Sequence, residues 1–387
     1  VLALCAVGLL VVGQLYTVLP LLGLFADSWS TTTAAAGLTA TVFGFGYATG
    51  FLFSGPLSDR FGRRRLIVTG LTLTAAATAA TALAPNLVTG CAVRAVQGLC
   101  AATFAPAAFA YIAERIAPTR RATAMTWLTS SFLAAGVLGQ VLAQSLAAVV
   151  GWRGVFTTGA IALAAGAVAL RFVLGPDRTS TGGSTLDAYR AMGRLLTNPA
   201  VTLLLLATLT LLGGFVALYT GLQVAGPPDI SGNAGTLLAL RASALPAMLL
   251  VPLFTTRLSK LPAAQRVGSA LLFAGLISGL TALFGRGGDI GVLALGALLF
   301  VFVFGIAVAA PALVEAIGSL AGPARGAAVA LYTFVLFVGA SLGPQLAALL
   351  DNSFSTVATG VAVLLIGGAA AATLGHRLRH RVPAGEK

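Results

Sequence analysis

Long apolar runs broken by short polar intervals fill this chain, and the runs have the length of bilayer-spanning helices rather than of strands. A hydrocarbon core of about 30 Å takes about 20 residues at the helical rise. Counting on that basis predicts twelve spans, near 2–26, 33–54, 66–84, 88–112, 123–149, 154–174, 199–222, 234–256, 267–284, 290–314, 326–350 and 354–375. One polar interval is long. Residues 175–198 read GPDRTSTGGSTLDAYRAMGRLLTN, a Pro/Gly/Ser/Thr-rich linker followed over 186–196 by the pattern of a short amphipathic helix on the membrane surface. It divides the spans six and six, into an N-terminal half (1–174), a linker (175–198), a C-terminal half (199–375) and a tail (376–387). The chain opens on Val1 rather than Met, so a native N-terminal tail is expected to precede it. A signal peptide is not expected, because the first run is long and leads into a second span without a cleavage site.

The halves echo each other. LFSGPLSDR at Leu52–Arg60 aligns with LFTTRLSKL at Leu253–Leu261, LYT at Leu15–Thr17 recurs at Leu218–Thr220, and GQVLA at Gly139–Ala143 recurs as GPQLA at Gly343–Ala347. Leu and Ala are common here, so each match alone is weak, yet all three require nearly the same offset. The expected fold is an all-α membrane protein with two pseudo-symmetric six-helix halves.

Composition sharpens this picture. The chain is 58% hydrophobic and 9% charged over 387 residues, too apolar for a soluble domain. Its formal net charge of +13 would suggest nucleic acid in a soluble protein; here it reads as Arg and Lys on cytoplasmic loops. Arg60, Arg63, Arg64, Arg65, Arg115, Arg120, Arg121, Arg171, Arg178, Arg190 and Arg194 fall on one side of the predicted membrane. Arg257, Lys260, Arg266, Arg325, Arg377, Arg379, Arg381 and Lys387 join them. The other side carries Arg153 and Arg286 with Asp27, Asp229, Asp289 and Asp351, so both termini and the linker are expected to be cytoplasmic. Cys5, Cys91 and Cys100 lie in apolar runs, and Cys91 and Cys100 are roughly 13 Å apart along one helix, beyond disulfide reach. No metal, cofactor or nucleic acid is expected.

The sharpest motif is GPLSDRFGRRR at Gly55–Arg65, a charged turn between two apolar runs that cannot sit in hydrocarbon. Its order, Gly-x-x-x-Asp-Arg-x-Gly-Arg-Arg, resembles the signature between the second and third helices of the major facilitator superfamily of secondary transporters. That resemblance implies a cytoplasmic gate built from Gly55, Asp59, Arg60, Gly62 and Arg63. Asp59 would meet the start of the eleventh helix, with Arg115 as its charge partner. In the repeat, Thr256 replaces Gly55 and Lys260 replaces Asp59, so no equivalent latch is expected in the second half. RAVQG at Arg94–Gly98 resembles the fourth-helix motif of the drug–proton antiporter branch, where the Arg is associated with proton coupling. Burying an arginine in a membrane helix costs about 2.5–3.5 kcal/mol on insertion scales, and Arg94 and Gln97 share a face. Arg94 either serves a polar interior or snorkels to the outer surface.

Other candidates are less tied to a motif. Arg241 in the eighth span, with Ser243 and Pro246 after it, either faces an internal site, where with Arg94 it would favour an anion, or snorkels. No Asp, Glu or His lies mid-span, so Asp27 at the mouth of the first helix is the remaining proton carrier; it also fits a simple helix boundary. The fifth span has Gly139–Gln140 where the family's exporters carry a Gly-Pro step. Gln140 and Gln144 either face a cavity or bond a neighbouring helix. Gln14, Tyr16, Thr17, Trp127, Ser131, Tyr219, Gln223, Tyr332, Ser341 and Gln345 complete the candidate substrate site, since polar side chains avoid lipid. The resemblance implies a monomer that exports a small organic compound by alternating access, with protons as the coupling ion. An organic-anion exchanger or uniporter using Arg94 and Arg241 is the alternative. An enzyme would require paired carboxylates, a metal cluster or a nucleophile–base set, none of which the spans carry; a receptor would bind without flux.

Overall fold

The structure, a computed structural model, describes residues 1–177, 185–243, 246–247, 250, 261–286, 291–350 and 353–381. Arg178, Thr256, Arg257, Lys260, Asp289, Asp351 and Lys387 fall outside them, as do the side chains of Asp59, Arg121, Arg286, Arg325 and Arg379. The chain forms two compact units, Val1–Asp187 and Ala188–Lys387. Among the described residues, nine helices are long and apolar enough to cross a membrane, and ten if the bent pair at the N-terminus is one span. Helix is what hydrocarbon demands, because each backbone N–H and C=O must find its partner within the segment.

In the first unit the helices are α1 (Leu2–Tyr16), α2 (Leu22–Ser28), α3 (Thr33–Ala36), α4 (Leu38–Phe61), α5 (Arg63–Ala82), α6 (Leu87–Ala101), α7 (Phe104–Arg115) and α8 (Pro118–Val173). The first predicted span is not one straight rod. Pro20 has no N–H to donate, the chain passes through a 3-10 turn at Leu19–Leu21, and α1 and α2 meet at 41°. Within α8, 56 residues long, Gly151 leaves the helical region at φ 68° and ψ 174°. A straight helix of that length would measure about 84 Å, far beyond a bilayer. Gly151 is therefore where the chain turns back, between the predicted fifth and sixth spans.

Hydroxyls inside the spans find local acceptors. Thr74, Thr78 and Thr81 of α5 each donate to the carbonyl one turn back, at 2.7, 2.7 and 2.9 Å. At the α5 C-terminal end, Phe25, Trp29, Trp152 and Phe156 form one aromatic cluster. Trp29 Nε1 donates to Ala84 O at 3.2 Å, and Trp152 Nε1 donates to Ser28 Oγ at 2.8 Å. These bonds tie α2 and the segment after Gly151 to the end of α5.

The opposite end carries the charged motif, and its geometry departs from the expected loop. Helix α4 continues through Phe61 and α5 begins at Arg63, so Gly62 alone makes the turn. It does so at φ 92° and ψ 149°, a conformation reserved for glycine. The charged residues extend the helices past the apolar stretch, which the hydropathy count could not see.

The second unit contains the amphipathic α9 (Thr185–Leu196), then α10 (Pro199–Ala225), α11 (Pro228–Ser231), α12 (Ala234–Ala242), α13 (Ala263–Arg286), α14 (Val292–Ala321), α15 (Arg325–Leu349) and α16 (Phe354–Arg381). The eighth predicted span, 234–256, is described only in part. Internal repetition is visible in pairs of close contacts. Gly139 packs against Gly13 in the first unit, and Gly343 against Gly213 and Ala217 in the second. Arg63 pairs with Glu114 across the starts and ends of α5 and α7, and Arg266 pairs with Glu315 at the corresponding places of α13 and α14. The two ion pairs sit about 200 positions apart, as the sequence offset requires.

Gly62→Ala tests the one-residue turn. The φ requirement predicts a loss of roughly 1–3 kcal/mol, read as a lower midpoint of thermal unfolding in detergent, whereas Gly55→Ala should unfold like the parent: a Cβ at Gly55 meets nothing within 4 Å in its own unit among the described residues.

Candidate functional site

Arg94, at 0% exposure, is among the largest fully buried side chains of the described residues, and it sits midway along α6. That helix is started by Asn86, which accepts from Thr89 N at 3.0 Å in a reciprocal capping box. The guanidinium lies with Cζ 4.2 Å from the ring centre of Phe43 and 5.8 Å from that of Phe156. Its edge donates to three acceptors: Thr39 O at 3.4 Å, Gln97 Oε1 at 2.8 Å and Gln14 O at 3.1 Å. Gln97 Nε2 in turn donates to Gln14 Oε1 at 3.0 Å and Thr78 Oγ1 at 2.7 Å. One polar knot thus joins α1, α4, α5 and α6, and Phe156 adds α8.

None of these partners carries a formal negative charge. Among the described residues the cation is held by carbonyl dipoles and aromatic faces, with one bond from each of its three nitrogens. Snorkelling is thereby excluded for Arg94. Gly98, the last residue of the RAVQG motif, makes the knot possible: a Cβ there would collide with Phe43 O and would lie 2.9 Å from Tyr47 N. Without it α4 could not bring Thr39 and Phe43 onto the guanidinium.

A second polar centre lies at the Gly62 turn. Arg63 donates from Nε to Glu114 Oε1 at 3.0 Å and from Nη1 to Ser58 Oγ at 2.8 Å. The start of the linker folds back onto this site. Gly175 N donates to the Tyr111 hydroxyl at 2.9 Å, and Arg115 donates to Pro176 O. Asp177 accepts from the backbone N–H groups of Arg64 at 2.7 Å and Arg65 at 3.1 Å. A glycine at the N-cap of α5 offers no side-chain acceptor, so a carboxylate more than a hundred residues downstream fills that place. Together Ser58, Gly62, Arg63, Tyr111, Glu114, Arg115 and Asp177 line a cavity of about 170 Å³. Arg60 is exposed, its guanidinium 5.4 Å from the Phe61 ring. The proposed Asp59–Arg115 pairing rests on a side chain outside the described part.

A third centre belongs to the second unit. Arg241, half-buried at the end of α12, donates from Nη2 to Gln223 Oε1 of α10 at 2.7 Å. Tyr219, one turn before Gln223, is 8% exposed, and its hydroxyl has no hydrogen-bond partner among the described residues. Such an orphan costs roughly 1–3 kcal/mol.

The remaining predicted residues scatter. Thr17 and Ser341 spend their hydroxyls on carbonyls one turn back, Gly13 O and Phe337 O, and Gln140 reaches Gly136 O at 2.6 Å. Ser131 bonds Leu128 O, and Tyr332 reaches Ala310 O at 3.4 Å. Tyr16 and Gln345 are half-buried. Trp127 is 61% exposed, and Gln144 and Asp27 are also exposed. Sequence reasoning missed Asp177, Tyr111, Thr78, Phe43 and Phe156. Asp177 alone had a readable signal, as the first acid of the linker. Among the described residues, no three His, Cys, Asp or Glu side chains gather as a metal site would need.

The sequence profile of the Major Facilitator Superfamily matches residues 4–344. The chain belongs to this superfamily. It is 34% identical over 168 residues to the putative uncharacterized transporter YgaY of Escherichia coli (strain K12), covering 43% of this chain and 41% of that one. A longer match, 25% identical over 357 residues, joins it to the uncharacterized MFS-type transporter YceJ of Bacillus subtilis (strain 168), covering 90% and 88%. The niacin transporter NiaP of Acinetobacter baylyi is 32% identical over 133 residues, 34% of this chain and 30% of that one. With YgaY the match thus spans about two fifths of the relative's length.

Two variants probe the superfamily member's N-terminal half. Arg94→Leu strands the acceptors of the polar knot and should destabilise the half by about 3 kcal/mol or more, with Arg94→Lys recovering only part because it cannot reproduce the fork; thermal unfolding in detergent reads both. Asp177→Ala removes the borrowed cap, and its exposed position limits the loss to roughly 0.5–1 kcal/mol. Hydrogen exchange should then rise at the backbone amides of Arg64 and Arg65 and stay unchanged through the rest of α5.

Proposed function

We propose that this chain is a secondary active transporter of the bacterial inner membrane that exports a small organic compound in exchange for protons, by alternating access. The reading takes twelve spans in two six-helix halves with both termini cytoplasmic. The observation that carries it is the buried Arg94–Gln97–Gln14 knot at the motif that resembles the drug–proton antiporter branch. An uncompensated cation in low dielectric makes its surroundings respond strongly to any nearby change of charge. Asp27 is the proton carrier in this reading, exposed near the end of α2, the helix whose Phe25 joins the aromatic cluster with Phe156. Asp59, Arg60 and the Gly62 turn form the cytoplasmic gate.

A second reading, an organic-anion exchanger or uniporter, is favoured by Arg241 on Gln223 and by the name of the relative NiaP, since niacin carries a carboxylate. Purified protein in liposomes with an imposed pH gradient separates the two. Proton antiport predicts a change of internal pH when the exported compound is added, and Asp27→Asn should abolish the dependence of flux on the gradient while leaving binding in place. Gradient-driven flux by Asp27→Asn at the parent rate removes Asp27 from the mechanism. Flux that ignores the gradient in the parent protein turns the choice to the exchanger or uniporter.

A further inference from the structure

The two membrane arginines that look alike in sequence differ in what surrounds them. Arg94 has its guanidinium edge occupied by Thr39 O, Gln97 and Gln14 O, and its faces covered by Phe43 and Phe156. A ligand would have to dismantle four helices to reach it. Arg241 is half-buried, and one of its contacts is the side-chain amide of Gln223, a neutral acceptor on a flexible stem. An amide oxygen has the reach and direction of one carboxylate oxygen but lacks its charge, so an incoming carboxylate outcompetes it for a guanidinium.

Tyr219 supplies a second, independent sign. Its hydroxyl is buried, has no partner among the described residues, and lies within electrostatic reach of Arg241. Tyr219 and Gln223 stand one turn apart on α10, so the hydroxyl and the amide look along the same face. Phe215, one turn earlier and half-buried, packs its ring 5.0 Å from that of Tyr219. A buried donor with no partner among the described residues, one turn from the amide that bonds Arg241, suits an anion, and the Phe215–Tyr219 pair provides an apolar wall for what the anion is attached to.

We infer that Arg241, Tyr219 and Gln223 form a carboxylate subsite in the C-terminal half: Gln223 holds Arg241 in place until a small organic carboxylate displaces it, taking a forked bond from Arg241 and the hydroxyl hydrogen of Tyr219. Arg94 has no part in binding. This deepens the transport reading and rests on it for its biological meaning, but the subsite itself is tested by binding alone.

The probes are benzoate and its neutral isostere benzamide, titrated calorimetrically into the purified full chain in detergent, with acetate and succinate as further carboxylates. Benzoate should bind at least about tenfold tighter than benzamide, and Arg241→Gln should remove that preference, since a charge-assisted bond is lost. Arg241→Lys should restore only part of it. Tyr219→Phe should weaken benzoate by about 2- to 10-fold and leave benzamide nearly unchanged. Gln223→Glu is the sharpest variant, because a built-in carboxylate occupies the fork and should weaken benzoate by more than about tenfold. The unfolding midpoint of each variant shows whether it is folded; should Arg241→Gln not fold, Gln223→Glu and Tyr219→Phe decide. No binding of any of the three carboxylates by the parent protein at millimolar concentration overturns the subsite, as does parental benzoate affinity in folded Gln223→Glu. Flux in liposomes is read separately. Benzoate binding without flux keeps the subsite and removes the transport reading, whereas flux of neutral or cationic compounds with no carboxylate binding does the reverse.

Discussion

A guanidinium cannot shed its proton under any condition a cell meets, so once Arg94 is committed to the interior the rest of the N-terminal half must be arranged around it. The half meets this demand without an acid. Main-chain carbonyls of Gln14 and Thr39 and the side chain of Gln97 take the hydrogen bonds, while Phe43 and Phe156 cover the faces. Every element follows from that choice: α1 and α4 must present a carbonyl at the right height, α6 must have Gly98 so that α4 can approach, and α5 must offer Thr78 to finish Gln97. A carboxylate in the same place would neutralise the site and remove its sensitivity to charge.

The two ends of the half are closed by different chemistry. At one end the aromatic cluster of Phe25, Trp29, Trp152 and Phe156 uses large rings with indole donors, which suits a position where apolar bodies must end in hydrogen bonds. At the other, charge does the work: Arg63 with Glu114, and the linker returned onto Tyr111, Arg115 and the start of α5. Between them, the Arg94 knot and the bond from Ser54 Oγ to Ala102 O at 3.1 Å are polar anchors between helices.

Much of this was legible in the sequence and some was not. The extent of most spans and the helix at Thr185–Leu196 follow from periodicity, because hydropathy and helical rise are local properties. The Arg94–Gln97 pairing was legible from spacing alone. The bend at Pro20 and the break at Gly151 involve residues whose effect depends on what they pack against, and a hydropathy count passes over both. The turn at Gly62 was placed correctly but made too long, since charged residues at helix ends read as loop. Asp177 was invisible as a partner of Arg64 and Arg65, because nothing local to a linker acid points to a helix start so far upstream. The same holds for Glu114 and Glu315, matched to Arg63 and Arg266 only by the packing of their helices.

That long separation between Asp177 and the amides it caps has a consequence for biogenesis. When α5 leaves the translocation channel the amides of its first turn have only water to bond, and the Asp177 carboxylate cannot reach them until the segment up to residue 177 has been synthesised. Closure of this contact therefore coincides with completion of the N-terminal half. A chain stalled or truncated before residue 177 would lack this cap, leaving a helix start that carries Arg63, Arg64 and Arg65 with no carboxylate on its first amides.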